Sequence, residues 1–253
     1  MSDNILNAVD ITKRYGDNVI FDKINFSVAR GEALGILGPS GCGKSTLLKV
    51  LSGLEELTEG EIYFNDVGIT NLTPTEWEAI RMKMGYAFQY SALFDFLPIE
   101  KNVGFMLYEH SKLPKKEIEK RVSEALKMVG LDNVQKMFPY QLSGGMQKRV
   151  SFARAILSQP DIIFYDEPTA GLDPIATTRI DNLMKSIHQQ TGATSIIITH
   201  HLSTIEHVCS RVLVLYAGKI LYDGDVKGLF ASTDPAIIQF IKGEVEGPMT
   251  SKD

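Results

Sequence analysis

A chain of 253 residues with 44% hydrophobic and 23% charged residues suits one compact α/β unit, with room for a subdomain. Its formal net charge of −5 excludes a broad nucleic-acid footprint, which needs clustered excess Lys and Arg. No run approaches the ~20 apolar residues that cross a bilayer, so if the chain moves anything across a membrane, another subunit supplies the path.

Met1-Ser2-Asp3-Asn4 lacks the basic and apolar parts of a secretory signal, and Cys42 and Cys209 make no metal-spaced pair, which predicts a reducing cytosol. Asp10–Tyr15 and Val19–Phe21 read as strands parted by Gly16-Asp17-Asn18, and Ala29-Arg30-Gly31 leads into the apolar run Ala33–Leu37. That run passes into glycine-rich sequence and then into Ser45–Leu54 with helical spacing, which reads as strand, loop, helix. Ile118, Val122, Ala125, Leu126 and Val129 share one face of a helix over Lys115–Val129, ended by Gly130. Ile162–Tyr165 and Ser195–Thr199 are apolar runs of the kind buried in parallel sheets. Arg211–Tyr216 and Lys219–Tyr222 flank Ala217-Gly218 as a hairpin. The predicted order is antiparallel strands, a parallel α/β core, a helical insert, the core again, and a tail of strand and helix.

Gly38-Pro39-Ser40-Gly41-Cys42-Gly43-Lys44-Ser45-Thr46 matches the G-x-x-x-x-G-K-[ST] phosphate loop, also called Walker A. Glycine lets the backbone curl so that successive N–H groups face an anion at a helix N-terminus, where the macrodipole also favours negative charge. Lys44 then places a point charge on the β- and γ-phosphates, and the Ser45 hydroxyl ligates Mg²⁺. Taken alone the loop does not separate kinases, GTPases and transport ATPases. Cys42 sits at a free position of it and reads as a tolerated small residue. Ile162-Ile163-Phe164-Tyr165-Asp166-Glu167-Pro168 brings two carboxylates to the end of an apolar strand. Asp166 suits Mg²⁺, held through water, and Glu167 suits a general base for the attacking water. The bland alternative makes the acidic pair the N-cap of the next helix.

Leu142-Ser143-Gly144-Gly145-Met146-Gln147 offers a second anion-binding terminus, with Ser143 as N-cap. On residues alone it is a capped helix, but it resembles the signature motif of ABC ATPases, and the resemblance runs through nearly the whole chain in family order. Tyr15 stands where an aromatic stacks on adenine, and Gln89 of Ala87-Phe88-Gln89 where the Q-loop touches Mg²⁺ and the membrane subunit. Ala170-Gly171-Leu172-Asp173 resembles the loop bridging the two ATP sites, and His200 the switch histidine at the γ-phosphate. Singly, Tyr15, Gln89 and His200 are weak signals. Two departures stand out: Met146 where many relatives carry Gln, and His201 where an acidic residue is commoner.

The resemblance implies a P-loop ABC nucleotide-binding domain over residues 5–243, with a RecA-like parallel-sheet core, an N-terminal antiparallel β subdomain and a helical signature subdomain at about 90–160. A short tail, 244–253, follows. It implies ATP hydrolysis with Mg²⁺, in which Lys44, Glu167 and His200 are catalytic and Ser45, Gln89 and Asp166 hold the metal. Tyr15, Gly38 to Thr46, Gln89, Ser143, Gly144, Gly145 and Asp173 contact nucleotide, the signature residues doing so on the partner's ATP.

Two further segments narrow the reading. Phe88 to Leu97 is aromatic and apolar at and just beyond the Q-loop, either a groove for a short helix of a membrane subunit or the core of the helical subdomain. With Leu107-Tyr108-Glu109-His110, Leu142–Met146 and Gln239 to Pro248, it resembles the MlaF-type ATPases of MCE lipid transporters. That implies a second copy of the chain, two permease subunits, an MCE substrate-binding protein and a STAS-domain regulator. Nucleic acid is not a partner. The expected place is the cytoplasmic face of the inner membrane, with membrane contact only through the permease. Competing readings are an ABC importer ATPase for a polar amino acid, a soluble ABC ATPase for iron–sulfur assembly or DNA maintenance, and a catalytically dead regulatory module.

Overall fold

The structure is a computed structural model that describes residues 3–250. The chain divides into two compact units, one built from the residues up to Asn71 together with those from Ile196 onward, the other from Leu72–Ser195.

In the first unit, β1 (Asn4–Tyr15) and β2 (Asn18–Ala29) form a long antiparallel hairpin. With β4 (Glu59–Phe64) and β5 (Val67–Gly68) they make a sheet of order β2-β1-β4-β5. Both hairpin strands extend well beyond the runs expected from sequence. Register shifts between Ala8 and Ile11, with Asp10 at φ 48°, break the alternation of buried and exposed residues by which a strand is recognised.

β3 (Ala33–Leu37) is buried along its whole length and pairs in parallel with β9 (Arg211–Tyr216), which returns antiparallel as β10 (Lys219–Asp225). Burial on both faces is why β3 reads as an unbroken apolar run. α1 (Lys44–Leu51) follows β3 and stops three residues short of the expected Leu54. Gly53, at φ 66°, lets the chain turn off the helix there. α7 (Leu202–Val208), α8 (Val226–Phe230) and α9 (Pro235–Lys242) carry Ile205, Leu229 and Ile237 into one cluster with Leu37, Val212 and Val214. After α9 the chain folds back. The buried Gln239 donates from Nε2 to the Glu244 carbonyl (3.1 Å) and the Thr250 hydroxyl (3.0 Å), and its Oε1 accepts the Met249 N–H (2.7 Å). The remaining tail residues, 251–253, lie outside the described residues, as do the first two residues of the chain.

The second unit holds α2 (Pro74–Arg81), β6 (Met84–Ala87), α3 (Ile99–His110), α4 (Lys115–Met128), α5 (Gly144–Ile156), β7 (Ile162–Asp166) and α6 (Pro174–Thr191). β6 runs parallel to β7, with Tyr86 opposite Phe164 and Ala87 opposite Tyr165. α4 buries Ile118, Val122, Ala125 and Leu126, the face expected from their spacing, against α3 and α5. β8 (Thr194–Ile198) belongs to both units, giving the orders β10-β9-β3-β8 in the first and β8-β7-β6 in the second. The architecture is α/β, an antiparallel sheet and a mixed sheet with a parallel centre. Among the described residues no helix is long and apolar enough to cross a membrane.

Candidate functional site

The phosphate loop leaves the end of β3 under backbone constraints that only glycine meets. Gly38 sits at φ 153°, where a Cβ would lie 2.2 Å from the Leu215 carbonyl oxygen. Gly43, at φ 99°, would press a Cβ to 2.5 Å from Ile20 Cγ2. Gly43 is also the N-cap of α1 and offers that helix no side-chain acceptor, the arrangement that suits an incoming anion. Lys44 is 6% exposed, and its Nζ donates to the carbonyls of Gly38 (2.8 Å) and Pro39 (2.9 Å). Its ammonium is thus held over the loop by two of three donors. Burial pushes the Cys42 thiol above its ordinary range, against the opposing pull of Lys44, so this sulfur stays protonated and a poor nucleophile.

Two more expected residues belong to the same unit. Tyr15, at the end of β1, is 48% exposed, with the Lys13 Nζ 4.6 Å from its ring centroid. His200 follows β8 and is exposed, its ring centroid 4.3 Å from that of His201. His201 is the N-cap of α7 but makes no side-chain cap bond, which an acidic residue there could have made.

The carboxylates belong to the second unit. Asp166 ends β7 and is buried, and its Oδ2 accepts the Tyr86 hydroxyl at 3.4 Å. Burial, reinforced by the Asp166 charge, pushes the Tyr86 hydroxyl far up, so it remains a donor. Glu167 adopts φ 44°, a left-handed conformation that costs a side-chain-bearing residue about 1–2 kcal/mol. The Ala170 and Leu172 N–H groups, donating to the Glu167 and Thr169 carbonyls, close the turn after it. Glu167 does not cap the next helix. That cap is Asp173, whose Oδ1 accepts from the N–H groups of Ile175 and Ala176 at 2.9 Å each. The bland alternative for the acidic pair fails on this point.

Ser143 caps α5 as expected, its Oγ accepting the Met146 N–H at 3.3 Å. The two glycines after it are not demanded by the chain itself. Neither Gly144 nor Gly145 has positive φ, and a Cβ added to either meets nothing within 4 Å. Ser143, Gly145 and Leu172 line one cavity of about 530 Å³, which brings the signature helix start beside the turn that precedes Asp173.

The Q-loop residues that sequence reasoning singled out are held by residues it did not. Lys148 of α5 donates to the Gln89 carbonyl at 3.4 Å; burial lowers its pKa while the Glu167 charge pulls the other way. Arg154, also on α5, donates to the carbonyls of Ser91 (2.6 Å) and Ala92 (2.7 Å), two residues in left-handed conformation. Burial brings its guanidinium down to about 10, still charged at neutral pH. Asn102 of α3, fully buried, accepts the Phe94 N–H at 2.7 Å and donates to the carbonyls of Phe94 (3.0 Å) and Leu97 (2.8 Å). Tyr90 and Phe96 are 87% and 76% exposed, and Phe94 packs on Phe105 with ring centroids 4.9 Å apart. The segment presents its rings at the surface. One signal was available in sequence, because Asn102 is a polar residue on the same helix face as the buried Ile99 and Val103.

The pattern of the ABC transporter family matches residues 21–170, a stretch that takes in the phosphate loop, Gln89, the signature residues and both carboxylates. The chain belongs to the ABC transporter family. It is an ATPase of that family and binds ATP. Over 252 residues it is 36% identical to the intermembrane phospholipid transport system ATP-binding protein MlaF of Haemophilus influenzae, covering 100% of this chain and 96% of the relative. It is 39% identical to protein TRIGALACTOSYLDIACYLGLYCEROL 3, chloroplastic, of Arabidopsis thaliana, over 98% of this chain and 76% of that one. The methionine import ATP-binding protein MetN of Rhizobium johnstonii is 38% identical over 93% of this chain, which spans 65% of that relative's length. Among solved structures, an ATP-binding cassette captured as a dimer after hydrolysis with ADP and Pi superposes with TM-score 0.80 at 32% identity, covering 87% of this chain and 98% of that one. A CbiO1 cassette of Clostridium perfringens gives TM-score 0.83 at 32% identity, over 96% of this chain and 95% of that one.

Proposed function

We propose that this ABC ATPase works as a dimer on the cytoplasmic face of a membrane and drives transport of a lipid, a phospholipid, through a permease. The reading rests on the likeness to a phospholipid-transport ATP-binding protein along 100% of the chain. In it, the phosphate loop from Gly38 to Thr46 wraps the β- and γ-phosphates, and Tyr15 stacks on the base. Glu167 takes a proton from water as the water oxygen bonds to the γ-phosphorus. The bond from that phosphorus to the β–γ bridging oxygen breaks, and ADP leaves. Lys44 offsets the charge spread over the phosphoryl oxygens, and His200 donates to the γ-phosphate.

The hydroxyl of Ser45, the amide oxygen of Gln89 and the carboxylate of Asp166 are hard oxygen donors of the kind Mg²⁺ takes, and the Tyr86 hydroxyl orients Asp166. Mg²⁺ supplies charge neutralisation at the phosphates when bound. The open space at Gly144 and Gly145 supports a signature terminus shaped for a partner's phosphates, since nothing in this chain needs glycine there. Asp173 lies on the loop that bridges the two sites.

The exposed rings of Phe94 and Phe96 suit the groove for a permease helix. The further partners are two permease subunits, an MCE substrate-binding protein and a STAS-domain regulator. A methionine or similar importer is the second reading, favoured by the 38% identity to a methionine import ATPase. Purification of the tagged chain from detergent-solubilised membranes tests both. Permease and MCE proteins are expected with the native chain, and the permease is expected to be lost from a Phe94→Asp/Phe96→Asp variant that stays soluble. An amino-acid importer permease in the eluate overturns the lipid reading. A permease retained by the double variant places the docking contact elsewhere.

A further inference from the structure

Lys13 lies outside every motif named above, yet it is 6% exposed and fully engaged. Its Nζ is 2.9 Å from Glu55 Oε1, donates to the Glu56 carbonyl at 2.8 Å, and sits 4.6 Å from the centre of the Tyr15 ring. The Glu55 carboxyl is held below its ordinary range first by the hydrogen bond from Lys13. A cation over the ring, itself held by the Glu55 carboxylate and the Glu56 carbonyl, therefore fixes the plane of Tyr15, whose remaining surface is open. The anchors are themselves tied to the phosphate site. The N–H groups of Leu54 and Glu55 both donate to the carbonyl of Lys49, in the last turn of the helix that starts at Lys44.

We propose that Lys13 and Glu55 form a positioning pair. They hold the Tyr15 ring at a set distance from the phosphate loop, so that the site reads a stacked nucleobase as well as the phosphates. This rests on the base-stacking reading of Tyr15 given above. An unanchored tyrosine loses rotamer freedom when a base stacks on it, and an anchored one has lost it already. For one side chain the difference is about a three- to tenfold change in affinity. The pair acts through the ring and touches no phosphate, so its effect is confined to ligands that carry a base.

The test titrates the full chain with ATP and with inorganic tripolyphosphate by calorimetry, and measures KM and kcat for ATP. Lys13→Met is expected to weaken ATP binding and raise KM about three- to tenfold, with kcat retained and tripolyphosphate affinity unchanged. In a Tyr15→Ala background the same substitution is expected to change nothing further. Glu55→Gln keeps the shape of a half-exposed residue and so folds even where Lys13→Met does not; it is expected to give a smaller loss of the same selectivity. Unchanged ATP affinity in both variants overturns the proposal, and so does a loss that persists without the Tyr15 ring or falls equally on tripolyphosphate. If Tyr15→Ala alone leaves ATP affinity intact while tripolyphosphate still binds, the base-stacking reading fails and the positioning role goes with it.

Discussion

Asn102 is the residue whose removal has the most calculable consequence. Its side chain makes three close hydrogen bonds to the backbone of Phe94 and Leu97, and it is fully buried. Neutral bonds of this kind contribute about 1 kcal/mol each, so Asn102→Ala forfeits about 3 kcal/mol, and the void left by the amide adds about 1 kcal/mol. Water reaching the released backbone beside the exposed Phe96 returns part of this, leaving an expected loss of ~2–4 kcal/mol. Asn102→Leu fills the space without the bonds and separates the two contributions. It is expected to recover only the void's share. Asn102→Asp keeps the acceptor for the Phe94 N–H but sets a carboxylate against the carbonyls of Phe94 and Leu97. That raises its folded-state pKa, so the folded chain binds the proton more tightly, and stability falls as pH rises through that value. Urea unfolding followed by Trp77, the single tryptophan and a member of the same unit, reads all three variants. Losses below ~1 kcal/mol for both Ala and Leu variants would show that the segment is held by its rings, and refute the hydrogen-bond argument.

Two predictions concern the chemistry. Glu167→Gln is expected to bind ATP and to lose at least 100-fold in turnover, since an amide can hold water but cannot take its proton; hydrolysis at native rate by the purified variant would remove Glu167 from the role of base. Mixing Lys44→Ala chains with Ser143→Arg chains gives heterodimers in which one composite site keeps both its phosphate loop and its signature serine. ATP binding that exceeds either variant alone is the expected result, and no recovery in any binding assay would count against shared sites.

The phosphate loop was readable because its chemistry is local. Gly38 and Gly43 are dictated by backbone strain, and Lys44 by its place at a helix start, all within nine residues of sequence. Where partners are distant, sequence was mute. Arg154 reaches carbonyls more than sixty residues away, at Ser91 and Ala92, and a cation that binds backbone atoms leaves no complementary residue to notice. Lys13 is similar, since its pairing with Glu55 appears only once β1 meets the turn after α1. Strand limits failed for a physical reason too. The shifts in the β1–β2 register erase period-two alternation over Ala8 to Lys13, while β3 and β7, buried on both faces, were found within one residue of their observed ends.

The signature helix carries more than its signature. Its N-terminus presents Ser143, and farther along it Lys148 and Arg154 hold the carbonyls of Gln89, Ser91 and Ala92. A hydrogen bond from a charged donor contributes about 1.5–3 kcal/mol, so freeing Ser91 and Ala92 from the half-buried Arg154 guanidinium costs up to ~3–6 kcal/mol, less what water returns on its exposed side. Thermal energy of ~0.6 kcal/mol does not open such a clasp at an appreciable population. Any displacement of α5 therefore carries the backbone of residues 89–92 with it, and the Asn102 bonds carry the same displacement into α3 through Phe94 and Leu97. A displacement at the Ser143 end therefore reaches the backbone that carries Tyr90, Phe94 and Phe96 through these hydrogen bonds, and the packing of Phe94 on Phe105 is a second link from that segment to α3.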